Sequence, residues 1–383
     1  MENKSGHFGI VVSGGPAPGI NCVISSATIE ANNRGYKVFG LNRGFKALTT
    51  GAPDALRELR TESVATILGD GGSIIGTSRF NPFVSSSQTE NFITGLRENK
   101  IDKLIIIGGE GSAWLSLQLS KLCPYLSIVH VPKTIDNDLI LPNHHPSFGY
   151  ETACAVGTQI VRTLHTDATT TRRWFIVTAM GRKAGFLALG IGLASSATLT
   201  VIPEEFAGAK ATPDQVAEIV YESIRKRRAS GKPYGVAILA EGIMDCLDPE
   251  SSPELKTAPR DNMGRIIYSQ LELGEVVMPA LKRRCREIDM DTRLYSKNIG
   301  YELRCHDPLA FDIEYTRFLG YGAVKYLAEL QAGQARAVMV VRDYDKLGYV
   351  PVTEMAGSDG NIKSRHVDLS SDLYKVARSF MIR

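Results

Sequence analysis

The chain has 383 residues, of which 43% are apolar and 22% charged, an ordinary globular composition. At ~100–200 residues per domain, two or three domains are expected, each with its own core. Lys and Arg number 44 against 41 Asp and Glu, a net charge of +3, which speaks against nucleic acid or an anionic membrane surface as partner.

Short apolar, β-branched runs recur, each closed by glycine or a polar turn: 7–12, 37–41, 103–107, 127–131, 174–178, 235–239 and 337–341. Residues 215–228 set Val216, Ile219, Val220 and Ile224 on one helical face, and 317–333 reads the same way. The uncharged stretch beginning at Ala184 has about the ~20 residues of a membrane span. Gly185, Gly190, Gly192 and several hydroxyls dilute it, however. It predicts a buried helix over 186–194 and a short strand over 198–202. Residues 1–7 lack the basic start and apolar core of a signal peptide. Six scattered cysteines show no zinc spacing and are expected as reduced thiols in a cytoplasmic protein. Continuous apolar strands separated by helices predict an α/β fold with parallel sheets covered on both faces. Two such sheets would account for the length.

Ligands of such sheets sit beyond the carboxyl ends of the strands, and there the unusual residues cluster. Gly14-Gly15-Pro16-Ala17-Pro18-Gly19 follows the first strand; paired glycines before a helix let amides approach an anion, although an ordinary strand-to-helix turn has the same composition. Residues 71–79 form a second glycine-rich loop ending in Arg79, whose planar fork suits phosphate oxygens. Gly108-Gly109-Glu110-Gly111-Ser112 follows a very apolar strand. Glu110 there could hold magnesium or simply sit at a helix start. Pro132-Lys133-Thr134-Ile135-Asp136-Asn137-Asp138 packs a lysine, a hydroxyl and two carboxylates into one loop. A carboxylate beside an attacking hydroxyl can take its proton, and a lysine can neutralise a transferring phosphoryl group.

These residues, joined by FGYETA (148–153), MGRKAG (180–185), IPEE (202–205), AEG (240–242) and the long run 299–324, resemble the phosphofructokinases. The likeness is greatest to the short bacterial diphosphate-dependent group. The resemblance implies two Rossmann-like α/β/α domains with the active site in the cleft between them. A donor-phosphate domain of 1–149 plus about 299–345 and a sugar-phosphate domain of 150–298 plus about 346–383 are expected. It implies magnesium-dependent phosphoryl transfer to the 1-hydroxyl of fructose 6-phosphate, with Asp136 as base and Lys133 beside it. Thr134, Ile135, Met180, Gly181, Arg182 and Glu241 match sugar contacts, and Tyr301 and Arg304 match a grip on the 6-phosphate. Arg173 matches a position from which a neighbouring subunit completes that site, so a homo-oligomer, dimer or tetramer, is expected. Gly15, Arg79, Gly111 and Ser112 match donor-phosphate contacts, and Glu110 matches the metal position, where the family usually has aspartate.

The donor signals conflict. In the family, lysine before Thr-Ile-Asp goes with diphosphate, so Lys133 points that way, as do Pro16 and the bulky Trp114 and Leu115 near the place of an adenosine. Gly111 is the residue usual in ATP enzymes. Diphosphate is the expected donor and ATP the alternative. A non-catalytic regulatory subunit is the reading from a different class.

Overall fold

The computed structural model describes residues 6–206, 208, 210–260, 271–287 and 292–383. Their strands are β1 (His7–Val12), β2 (Val38–Leu41), β3 (Leu56–Leu59), β4 (Ile101–Gly108), β5 (Ser127–Pro132), β6 (Trp174–Ala179), β7 (Leu199–Val201), β8 (Gly235–Ala240), β9 (Leu294–Ile299), β10 (Ala337–Asp343) and β11 (Lys346–Pro351). Two sheets form, in the orders β11-β10-β5-β4-β1-β2-β3 and β7-β8-β6-β9. The inner strands of the first sheet and all of the second are parallel; β3 and β11 close the first sheet's edges antiparallel.

The continuous apolar runs follow from two-sided burial. On one face of the first sheet Phe8, Ile10 and Val12 pack with Ile105, Ile107, Val129 and Val131. The helices Ile20–Asn33 and Ala310–Glu329 cover them. On the other face Val11, Leu104, Ile106 and Ile128 meet Phe92 and Leu96 of helix Ser86–Glu98 and Leu115 and Leu119 of helix Glu110–Leu122. Successive residues point to opposite faces and both faces are dry, so no polar alternation survives.

In the second sheet Trp174, Ile176, Ala237 and Leu239 pack on Val216, Val220 and Ile224 of helix Pro213–Ala229, with Val277 and Leu281 beside them. That helix starts where a capping box says it should: Thr212 Oγ1 accepts from the Gln215 amide at 3.2 Å, and Gln215 Oε1 accepts from the Thr212 amide at 2.9 Å. The uncharged stretch is helix Phe186–Ser195 followed by β7, and among the described residues no helix is long and apolar enough to cross a membrane.

Met1–Ala153 with Arg304–Arg365 form one compact unit, and Cys154–Leu303 with His366–Arg383 the other. Residues 346–365, assigned on sequence to the second domain, thus belong to the first. The reason is β11, which pairs with β10 over Val338–Asp343.

Candidate active site

In the first unit the chemistry-bearing loops leave the carboxyl ends of β1, β4 and β5 and are stitched to one another. Gly14 has φ +88° and Gly19 φ +100°, left-handed values that glycine adopts without penalty. The Gly14 amide donates to the Ser78 carbonyl at 2.9 Å, and Thr77 Oγ1 donates to the Gly14 carbonyl at 2.8 Å. Asn21 pins the second glycine loop from below: its amide nitrogen donates to the carbonyls of Asp70 and Gly71, and its oxygen accepts from the Ile74 amide.

Lys133 follows β5 with its side chain 4% exposed, and its ammonium donates to the Gly15 carbonyl. A methyl on Gly14 would lie 3.7 Å from Lys133 Nζ, and one on Gly15 would lie 3.5 Å from the Arg304 guanidinium and 3.9 Å from that of Arg79. Three cations therefore ring one glycine pair. Burial pulls the Lys133 ammonium down to about 8, with Asp136 holding it up and Arg79 adding to the fall. Arg304, matched to the 6-phosphate grip on sequence, stands in the first unit beside Gly15.

The loop after Lys133 is self-bonded. Thr134 Oγ1 accepts from the Asp136 amide at 3.0 Å, Ser147 Oγ donates to the Thr134 carbonyl at 2.9 Å, and the Ser147 amide donates to Asn137 Oδ1 at 3.2 Å. Asn137 takes φ +56°. Ile135 and Asp138 are buried while Thr134 and Asp136 are half-exposed, so the two carboxylates differ: Asp136 is the accessible one. Ile135 keeps its side chain inside and has its backbone to offer.

Glu110 opens helix Glu110–Leu122, where the partial positive charge of the helix start favours a carboxylate. Its Oε2 accepts from Ser364 Oγ at 3.0 Å. Ser112 is buried, and the nearby Gly111 has open space: a methyl there would meet nothing within 4 Å. Leu115 sits in the core, whereas Trp114 packs edge-to-face on Phe83, ring centroids 6.1 Å apart.

In the second unit Met180, Gly181 and Arg182 follow β6, Glu241 follows β8 and Tyr301 follows β9. The Met180 amide donates to the Ile299 carbonyl at 3.0 Å and the Gly242 amide to the Gly181 carbonyl at 3.0 Å, which locks the three strand ends together. Gly181, at φ +130°, makes the turn; its amide lies 3.4 Å from Glu241 Oε2. Arg182 pairs with Asp245 at 3.1 Å on an exposed surface, and Tyr301 is 71% exposed. Arg173 precedes β6, at the opposite end of the strand from Met180; its guanidinium lies over the Tyr295 ring at 4.7 Å, with Asp167 at 3.7 Å.

Residues 7–327 match the family model described as Phosphofructokinase. The chain belongs to the phosphofructokinase family. It is 42% identical to the pyrophosphate–fructose 6-phosphate 1-phosphotransferase of Thermotoga maritima, over 98% of this chain and 90% of that one. Identity to the enzyme of the same name from Naegleria fowleri is 41%, over 98% and 88%. The phosphofructokinase structure from Saccharomyces cerevisiae shares the fold with a TM-score of 0.69 at 24% identity. That match covers 91% of this chain, which spans 45% of the yeast chain's length.

Among the described residues no three or more His, Cys, Asp or Glu side chains gather as a metal cage. A phosphofructokinase that receives magnesium together with a polyphosphate needs only one or two protein carboxylates, the phosphates and water completing the shell. Glu110, a hard oxygen donor beside the glycine loops, fits that donor set. Sequence reasoning missed Thr77, Asn21 and Ser364. The first two lay inside quoted motifs without a role. Ser364 carried no signal, since a serine in a polar stretch is ordinary loop chemistry.

Proposed function

We propose that this phosphofructokinase transfers a phosphoryl group from diphosphate to the 1-hydroxyl of fructose 6-phosphate, giving fructose 1,6-bisphosphate and phosphate. The observation that carries the donor choice is Lys133, a buried ammonium bonded to the Gly15 carbonyl and flanked by Arg79 and Arg304. A donor without a nucleoside has to be held by charge alone, and this ring of three cations supplies it. Trp114 packed on Phe83 supports the same reading, because the pair fills space near the place the resemblance assigns to an adenosine.

Asp136 is the base: it takes the proton of the 1-hydroxyl as that oxygen bonds to phosphorus and the bridging P–O bond breaks. Lys133, Arg79 and Arg304 offset the charge growing on the leaving phosphate, and the side-chain-free Gly14-Gly15 turn lets the donor approach the backbone. Glu110 and the diphosphate oxygens would hold magnesium, which supplies charge neutralisation when bound. Thr134 and Ile135 meet the sugar from the loop, while Met180, Gly181, Arg182, Glu241 and Tyr301 hold the sugar phosphate. With phosphates as both donor and leaving group, the reaction runs in either direction, serving glycolysis and its reversal.

Arg173 supports a homo-oligomer, dimer or tetramer. Six residues of β6 separate it from Met180, about 20 Å of extended chain, so within one chain it cannot share a phosphate with Arg182. A neighbouring copy's arginine fills that role. All six cysteines are free thiols, in keeping with the reducing cytoplasm.

A coupled assay with fructose 6-phosphate and magnesium, supplying diphosphate or ATP in parallel, tests the reading. Turnover with diphosphate and little with ATP is expected. The reverse pattern establishes the ATP reading, which Gly111 and the open space beside it favour. Turnover with neither donor leaves the regulatory subunit.

A further inference from the structure

The family match ends at residue 327, yet the chain beyond it returns to the donor loops. After β11 it makes a tight hairpin: Gly357 donates to the Asn361 carbonyl at 2.7 Å, Ala356 bridges Ile362, and the Lys363 amide donates to the Met355 carbonyl at 2.9 Å. Ile362 is buried with Ala113, Leu139 and Met355, which anchors the hairpin beneath the start of helix Glu110–Leu122. Ser364 then bridges Leu139 antiparallel, and the Arg365 amide donates to the Asp138 carbonyl at 2.7 Å. Arg365 also donates to the His144 carbonyl at 3.2 Å. The strap is thus bonded along the catalytic loop, and from that fixed backbone Ser364 Oγ reaches Glu110 Oε2 at 3.0 Å.

The contact answers a problem set by the sequence. Glutamate has one more rotatable bond than aspartate, so a carboxylate at position 110 has more orientations to lose before it meets a ligand. A hydroxyl held by two backbone pairings selects one of them. We infer that Ser364 is a positioning residue for phosphoryl transfer, orienting the Glu110 carboxylate toward the metal–diphosphate complex. The inference rests on the function proposed above.

The test compares Ser364→Ala and Ser364→Thr with the full-length wild-type enzyme, in steady-state kinetics and in calorimetric titration with magnesium diphosphate without sugar. Loss of a hydrogen bond to a charged group predicts a KM for magnesium diphosphate raised about tenfold in Ser364→Ala. Calorimetric affinity should weaken by the same factor, with the KM for fructose 6-phosphate and the melting temperature unchanged, and Ser364→Thr should restore both. In a Glu110→Ala background Ser364→Ala should weaken calorimetric binding no further. Unchanged binding and KM in Ser364→Ala, an equal loss in the Glu110→Ala background, or a fall in melting temperature that Thr does not repair overturns the inference. If the wild type uses ATP and ignores diphosphate, the donor reading has failed by itself. The same titrations with magnesium ATP then decide the role of Ser364.

Discussion

The strand ends of the two units are built differently. In the first, Lys133 is 4% and Asp138 7% exposed, and backbone bonds join Lys133 to Gly108, Ser13 to Ile107 and Gly14 to Ser78. In the second, Tyr301 is 71% exposed and Arg182 pairs with Asp245 on the surface, their side chains 58% and 39% exposed. An exposed ion pair of this kind contributes about 0–1 kcal/mol. Under the function proposed above, the bonded loops of the first unit would be preorganised for the donor, as stabilising a charged transition state requires. Under that same function, the exposed Arg182 of the second unit would meet the sugar phosphate.

The largest effect should come from the donor loop. Asp136→Asn is expected to lower kcat about a thousandfold with an unchanged melting temperature, because Asp136 is half-exposed. The buried Asp138 should instead lose stability when replaced by Asn, seen in thermal unfolding. Retained turnover in Asp136→Asn would remove the base assignment.

Lys133 comes next. Its charged form is the useful one, and burial lowers its value from 10.5 to about 8, so the charge is present below that pH and lost above it. kcat/KM for diphosphate, which reports the free enzyme, should fall as pH rises through about 8, and Lys133→Arg should move that limb upward. Stability runs the other way: between about 8 and 10.5 the unfolded chain binds more protons, so the unfolding free energy contributed by this group rises with pH.

On the acceptor side, Arg182→Ala should raise the KM for fructose 6-phosphate about tenfold while leaving the KM for diphosphate alone. Equal change in both would erase the contrast between the two ends. Arg173→Ala sharpens it: mixed and reassembled with inactive Asp136→Asn, it should regain activity, since each hybrid contains one complete site. Absence of complementation would place Arg173 outside a shared site. Gly111→Asp should have the smallest effect, leaving diphosphate turnover nearly intact because the new side chain enters open space. Any residual ATP turnover should disappear.

The strands read correctly from sequence are nearly all covered on both faces, where continuous apolar residues mark them. The three missed strands, β3, β9 and β11, are all sheet edges. Leu56-Arg57-Glu58-Leu59 and Leu294-Tyr295-Ser296-Lys297-Asn298-Ile299 mix charges into exposed and half-exposed positions, because an edge has solvent on one side. Missing β11 also sent 346–365 to the wrong unit.

The same division holds for the candidate site. Sequence alone determined that glycine pairs, a lysine and carboxylates follow apolar strands, since strand-end loops are local and their residue types carry the chemistry. It also determined the family to which those motifs belong. Tertiary structure alone decided that Asp136 rather than Asp138 is accessible, that Arg304 stands with Gly15, and that Ser364 reaches Glu110 across 254 positions of chain. Burial and hydrogen bonds between distant segments depend on how the backbone is folded back on itself, and no local spacing encodes them.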